Sequence, residues 1–266
     1  MAITHPEGLI EVREDIHLRK IGLHDLRVAL AQGWDDFLAK RGDLVFIGVI
    51  YPVMVLLAGI YAYQASALPL ILPLLAGAIL LGPAVASGFY ELARRREAGL
   101  DARWRHFFDV FRGPAARSIA ALTSIVAILF LFWILAAGEI YAVTLGAAFP
   151  EAARTIPEFL HAAFTTAAGW RMIIIGNLVG LGFALATLAI SVVSFPMLVD
   201  RRVGWKTAMM TSLRVAWANP VTTIIWGLIV VALLVLGALP ALVGLAVVLP
   251  VLGYATWHLY KRAVMR

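Results

Sequence analysis

Three polar side chains interrupt the long apolar stretches of this sequence, and they are the first candidates for chemistry. Glu139, Asn177 and His258 lie inside segments that are otherwise rich in aliphatic residues. An ionisable group within a membrane costs several kcal/mol, so such a group is a functional candidate by default. Because the apolar stretches contain so few such groups, the sequence argues against a proton pump or a carrier of charged solutes. For His258 we expect either an interfacial histidine or one bonded to a nearby carbonyl.

Glu139 and Arg171 are the one pair of opposite charges that the sequence singles out. They fall at the outer ends of consecutive apolar stretches, so an ion pair can join them. In a functional role this pair would be a gate or a polar ligand site. In a structural role it would pin two helices together, or remain two solvated side chains at the interface. With Asn177, these residues form the candidate polar site.

Gly176 and Gly180 form a small-xxx-small pattern beside Asn177. Small residues let membrane helices approach closely, and polar residues bond across such contacts. The pattern predicts a helix-packing contact, which can lie inside one bundle or between two copies of the chain. We expect the first, with Asn177 bonding across the contact.

Other residue types that carry chemistry form no recognisable constellation. Cysteine is absent, and none of the six histidines is paired at helical spacing with a second histidine or a carboxylate in a way that suggests a metal site. Ser191, Ser194 and Thr256 have no evident base, and we expect them to bond to their own helix carbonyls. The sequence therefore predicts no catalytic residue, no metal site and no cofactor, and we expect the protein not to be an enzyme.

The composition places the chain in a membrane. Of its 266 residues 62% are hydrophobic and 14% are charged, with a mean hydropathy of +0.90; soluble domains carry about 25% charged residues. A spanning helix needs roughly 20 apolar residues. The pattern predicts an all-α polytopic protein with a polar tail at 1–21, one six-helix membrane domain at 22–260 and a basic tail at 261–266. The predicted spans are 44–63, 68–93, 115–141, 172–199, 220–238 and 240–260.

Amphipathic segments precede each of three pairs of spans. Their apolar stripes recur every three or four residues, which is typical of helices that lie in the membrane interface or dock on a bundle. We interpret the chain as three parallel hairpin units, each preceded by such a helix. The stripes are Leu23, Leu26, Leu30, Trp34 and Phe37; then Trp104, Phe107, Phe108 and Phe111; then Trp205, Met209, Leu213 and Ala216. Trp34, Trp104, Trp205 and Trp217 are the predicted interfacial anchors.

The distribution of basic residues predicts the orientation. Of 22 Lys and Arg residues, 20 fall on the side of the two termini. By the positive-inside rule both termini are cytoplasmic, in the inner membrane of a bacterium. The net charge of +6 divides into +7 on the inner side and −1 on the outer side. The positive excess would then face anionic lipid headgroups, so no nucleic acid is needed to explain it.

One stretch also resembles a known family. It contains Phe195-Pro196-Met197-Leu198, Asp200-Arg201, Thr211-Ser212-Leu213-Arg214 and Asn219-Pro220, and fainter similarity covers Phe89-Tyr90-Glu91 and Trp104 to Phe108. In these motifs the chain resembles, from about residue 20 onward, a bacterial family of predicted integral membrane proteins of unknown function. The resemblance implies a membrane location and brings no activity, ligand or catalytic residue with it.

Two classes of function fit these features. The first is a non-enzymatic accessory, scaffold or assembly factor of a membrane complex, with a possible membrane-protein partner. It predicts a filled interior and an exposed apolar groove or aromatic patch. The second is a carrier or flippase-like protein for lipids or small neutral solutes, motivated by Pro83, Pro250 and the glycines of span four. It predicts a continuous cavity lined by spans two, four and six, with Asn177 or Glu139 facing it.

Overall fold

The computed structural model describes residues 16–39, 68–153, 155–240 and 242–265, with the single positions 53, 56 and 60. These residues are helical and contain no strand, apart from an isolated backbone bridge between Leu18 and Val264. The α-helices are α1 (23–39), α2 (Ile71–Leu80), α3 (Gly82–Glu97), α4 (Ala116–Val143), α5 (Leu145–Ala148), α6 (Ile156–Thr165), α7 (Ala167–Ser191), α8 (Ser194–Asp200), α9 (Trp205–Ala218), α10 (Pro220–Ala238) and α11 (Leu245–Ala263). Short 3-10 helices cover Leu68–Leu70, Trp104–Phe111 and Pro150–Ala153.

Three of these stretches are long and apolar enough to cross a membrane. They are Ala116–Ala148, Ala167–Asp200 and Pro220–Ala238. They correspond to the predicted spans 115–141, 172–199 and 220–238. The predicted span 44–63 lies outside the described residues, apart from helical positions 53, 56 and 60. The all-α class is therefore confirmed for the described residues, and the count of six spans stays a prediction.

Two predicted spans differ from the structure at their breaks. The stretch 68–93 is not one helix, because α2 ends at Leu80 and α3 begins at Gly82. Pro83 has no N–H and would clash with a carbonyl in a helix interior, but the first turn of α3 tolerates it. The last helix begins at Leu245 and not at 240, after a turn in which Leu242 has a φ of +69°. Pro250 lies inside this helix, as predicted.

The break between α7 and α8 is caused by a side chain from another helix. The Ser212 hydroxyl donates to the Ala189 carbonyl at 2.7 Å and accepts from the Val193 N–H at 3.2 Å. It therefore lies between the donor and the acceptor of one i→i−4 helical bond. Pro196 adds to the break, because it cannot donate to the carbonyl of Val192.

The core lies at the basic end of the molecule, where α11 is packed on several sides. Gly253 of α11 faces Phe89 of α3, since a Cβ at Gly253 would lie 2.7 Å from the Phe89 Cβ. Gly33 of α1 faces the α11 backbone, with a corresponding distance of 2.6 Å to the Ala255 nitrogen. Trp257 of α11 is fully buried. A smaller cluster around Leu145 and Phe159 holds α5, α6 and the start of α7 together at the other end.

The apolar stripes of the amphipathic segments coincide only in part with the residues that the structure buries. In α1, Leu23 and Trp34 are exposed, and the buried stripe is Leu26, Ala29, Gly33 and Phe37. In α9 the buried stripe is Ala208, Thr211, Ser212 and Val215, adjacent to the predicted one. Residues 104–111 form a 3-10 helix, which buries Phe107 and Val110 and exposes Trp104, Phe108 and Phe111. Small and hydroxyl side chains allow close packing in membrane proteins, while large apolar side chains can face lipid.

Candidate functional site

An apolar groove lies between α2, α4, α6 and α7, in the half of the molecule away from the basic end. Its volume is about 690 Å³. The Trp133 indole N–H donates to the Pro73 carbonyl at 2.9 Å, which ties α4 to α2 across the groove. The lining residues include small side chains, aromatic rings and one amide, namely Ala137, Ala163, Gly176, Gly180, Ala184, Trp133, Tyr141, Phe159, Phe164, Phe183 and Asn177.

The three predicted site residues of α7 that lie at this groove do different things. Gly180 packs against the indole of Trp133, because a Cβ there would lie 2.9 Å from the ring. A Cβ at Gly176 would meet no atom within 4 Å. Asn177 is exposed and donates to the Ile173 carbonyl of its own helix at 2.7 Å. The small-xxx-small pattern therefore gives one packing contact inside the bundle, and the expected bond across helices does not form among the described residues.

Glu139 and Arg171 do not form the predicted ion pair. Both side chains are exposed, and no ion pair joins them in the part of the chain that the structure describes. Neither residue lines the groove. The polar site predicted from the sequence therefore reduces to Asn177.

A network of polar side chains at the basic end was missed by the sequence interpretation. Asp36 of α1 accepts from Arg96 of α3 at 2.8 Å and bonds to His258 Nε2 of α11 at 2.8 Å. The Asp36 and His258 side chains are 13% and 14% exposed. His258 thus binds a carboxylate and not a carbonyl. Because residues 36 and 258 are far apart in the sequence, no local pattern could have revealed the contact.

The last turn of α11 extends this network. Lys261 lies 3.4 Å from Glu97 and 3.5 Å from Asp200, and the Tyr260 hydroxyl donates to Asp200 at 2.8 Å. Residues 261–263 therefore belong to α11. The sequence had predicted a basic tail that begins at 261. Residues 16–21 are likewise ordered against this end, since the Ile21 N–H donates to Asn219 Oδ1 at 2.9 Å.

Asp25 of α1 is a further link, to the same helix α11. Its carboxylate accepts from the Gly22 N–H at 2.9 Å and from Arg262 at 3.3 Å. The backbone bond, followed by the contact with Arg262, lowers the pKa of Asp25 below its ordinary value despite the opposing effect of burial.

Within α3, Glu91 is buried and accepts from Arg94 and Arg95 of the same helix. The contacts of Asp25, Asp36 and Asp200 join different helices, and none of these carboxylates lines the groove.

The predicted interfacial tryptophans lie at the surface of the structure. Trp34, Trp104 and Trp217 are exposed, the last at 90%, while Trp205 is partly buried. Within the described residues no group of three or more His, Cys, Asp or Glu side chains could hold a metal ion. The groove thus provides an apolar surface with one amide, that of Asn177, and the network provides charged side chains that bind one another.

Comparison with known proteins adds a family to these observations. No curated protein and no solved structure matches the chain. A family model described as "Predicted integral membrane protein (DUF2189)" matches residues 70–200, a segment that includes Glu91, α4, α7 and Asp200. This match confirms, over residues 70–200, the predicted resemblance to a family of integral membrane proteins of uncharacterised function.

Proposed function

We propose that the chain spans the inner membrane of a bacterium six times, with both termini cytoplasmic, and that it is organised as three parallel hairpin units. The three described spans support the first part of this proposal. The basic residues support the second, since 20 of 22 fall on the side of the termini. The network at this end consists largely of charged side chains, and contact with water and headgroups is expected at such an end.

Within that frame, the proposed function is that of a non-enzymatic accessory or scaffold protein that binds a membrane-protein partner. The observation that carries the proposal is the exposure of α7. In the most apolar 18-residue segment of Ala167–Asp200, only 6% is buried. Its outward face is a stripe of large aliphatic side chains at helical spacing: Ile174, Leu178, Leu181 and Leu185, all exposed.

Both ends of α7 are held firmly. At its start a Cβ on Gly169 would lie 2.2 Å from the Ala163 carbonyl of α6. At its end the Ser212 hydroxyl of α9 binds the backbone of the break before α8. A rigidly mounted helix with one free apolar face is a surface on which the transmembrane helix of a partner can pack without a cost in ordering α7.

The filled core at the basic end supports this function over transport. The large side chains Trp226, Trp257 and Tyr260 are fully buried there, and the groove is lined from α2, α4, α6, α7 and α10 but not from α11. A scaffold needs no path across the membrane, whereas a carrier does.

Site-specific photocrosslinking in intact cells tests the proposal. A photoreactive residue replaces Leu178, which is 66% exposed on α7, and in a matched variant it replaces Leu228, which is 64% exposed on α10. We expect a discrete protein adduct from position 178 and only lipid adducts from position 228. Lipid adducts from both positions would overturn the proposal.

A carrier of lipids or small neutral solutes is the second candidate, favoured by the groove and by the exposed amide of Asn177 at its edge. It predicts that purified protein in liposomes scrambles a fluorescent phospholipid, and that Asn177→Leu slows this transfer. A scaffold predicts no transfer above that of empty liposomes. Transfer by wild-type protein that Asn177→Leu slows would replace the scaffold proposal.

A further inference from the structure

A second groove lies at the opposite end of α4, where this helix leaves the basic side of the molecule. Its volume is about 470 Å³. It separates the start of α3 from the first turns of α4, and its lining is predominantly apolar: Ala84, Val85, Phe111, Ala116, Ile119, Ala120, Thr123 and Ser124. Ser124 donates to the Ala120 carbonyl of its own helix. From residue 116 to residue 124 the groove follows α4 for about 12 Å, at 1.5 Å per residue.

Two arginines adjoin lining residues of this groove in the sequence. Arg112 follows Phe111 and Arg117 follows Ala116, so each arginine is the chain neighbour of a lining residue. Both arginines are exposed, and neither forms an ion pair in the described part of the chain. The preceding arginines at positions 94, 95, 96, 103 and 105 all form ion pairs. Neither charge is thus held in an ion pair within the described ranges, and Arg112 also interacts electrostatically with Asp109.

Two local features favour an anion over a zwitterion at this mouth. The helix α4 begins without a side-chain cap, so its positive dipole end lies between the two arginines. The nearest preceding carboxylate, Asp109, already binds Arg95 at 2.9 Å and His106 at 2.7 Å. It is thus engaged and does not serve as a counter-charge for a ligand amine.

We propose that this groove binds one anionic glycerophospholipid. The phosphate lies between Arg112 and Arg117 at the start of α4, and one acyl chain fills the apolar groove towards Thr123 and Ser124. A soluble phosphate would use only the mouth, whereas an acyl chain accounts for the apolar lining that continues along a membrane-spanning helix. Exposed Phe111 and Trp104 flank the headgroup level, where aromatic rings are common. The site is independent of the scaffold function.

Native mass spectrometry of the detergent-purified protein tests the site. The protein is titrated with phosphatidylglycerol and, separately, with phosphatidylcholine of the same acyl chains. Each basic residue near a membrane surface contributes about fivefold to the binding of an anionic lipid. We therefore expect Arg112→Gln with Arg117→Gln to weaken phosphatidylglycerol binding about 25-fold. The control pair Arg202→Gln with Arg214→Gln removes two exposed charges that are likewise free of ion pairs in the described chain, and it should change binding less than twofold.

A second variant tests the acyl chain. Ala120→Phe places a ring into the groove, and Ile128→Phe enlarges an exposed side chain of α4 that does not line it. We expect the first, and not the second, to weaken phosphatidylglycerol binding at least tenfold. Equal retention of the two lipids by wild-type protein would overturn the proposal, as would unchanged binding in the double arginine variant. Because Arg112 and Arg117 are exposed, this variant is expected to fold, and the proposal stays falsifiable if Ala120→Phe does not.

Discussion

The close approach of α1 to α11 can be tested with a matched pair of glycine substitutions. A Cβ at Gly33 would lie 2.6 Å from the Ala255 nitrogen and 2.8 Å from the Val251 carbonyl oxygen. Both are backbone atoms of a buried helix and cannot rotate away, so Gly33→Ala must push the two helices apart. Gly176 is also in a helix, and a Cβ there meets nothing within 4 Å. The gain in helix propensity from glycine to alanine is about 1 kcal/mol at both sites and cancels in their comparison.

The difference between the two variants is then the cost of overpacking. Such costs are about 1–3 kcal/mol, so we expect Gly33→Ala to be less stable than Gly176→Ala by this amount. For a chain of this size, each kcal/mol corresponds to about 2–4 °C in the unfolding temperature. Thermal unfolding of the two purified variants in one detergent, followed by the loss of the monodisperse peak, measures the difference. Equal unfolding temperatures would refute the packing of α1 on α11 through Gly33.

Three further predictions concern charged side chains. Asp36→Ala removes the largely buried carboxylate that Arg96 and His258 share, and it should lower the free energy of unfolding by about 3 kcal/mol. The neighbouring, exposed Asp35→Ala should change it by less than about 0.5 kcal/mol. Equal effects in chemical denaturation would contradict the role of the network. Because the pKa of Asp25 is lowered in the folded protein, its contribution is present above the ordinary pKa of an aspartate and is lost as the pH falls through the lower, folded value. Asp25→Asn should therefore be less stable than wild type at pH 6, and the stabilities of the two proteins should converge in acid; a constant gap down to pH 3 would contradict this. Glu139→Gln and Arg171→Gln should each leave the unfolding temperature unchanged, and a double-mutant cycle should give a coupling energy near zero; a coupling above about 1 kcal/mol would show that the two residues pair.

The parts of the fold that follow from local sequence were predicted well. The bounds of α10 agree with the predicted span, since Asn219-Pro220 marks its start and a turn follows its apolar run. The ends of α4 also lie close to the predicted bounds 115–141. These elements are set by apolar length and by proline or capping residues, which a single sequence displays directly.

The parts that depend on other segments were not predicted. The break after Ser191 requires the hydroxyl of Ser212, and the partner of His258 is Asp36 of a distant helix. The faces that the amphipathic segments bury likewise depend on the neighbouring helices, and several large residues of the predicted stripes, among them Trp34, Trp104 and Phe108, are exposed. In this membrane protein the contacts of α1 and α9 use Gly33, Thr211 and Ser212, which allow close packing.

The segments that precede the three predicted hairpin units differ from one another in structure. The parts expected to be equivalent are an α-helix whose described residues are 23–39, a 3-10 helix of 8 residues at 104–111 and an α-helix of 14 residues at 205–218. They also differ in their contacts, since α1 packs on α11 and α9 packs on α7 and α8. Common requirements of interfacial segments explain the similar sequence patterns as well as a shared origin does.

The most direct test of the proposed function is extraction of the tagged protein from its native membrane into nanodiscs, with mass spectrometry of the proteins that co-purify. The extraction is repeated with a variant in which Ile174 and Leu178, two exposed residues of α7, are alanine, and with Leu228→Ala on α10 as the control. If α7 is a docking surface, wild type and the control retain one partner protein at a fixed stoichiometry, and the α7 variant loses it. Recovery of the protein with lipids alone, or of a partner that the α7 variant retains fully, would contradict the account.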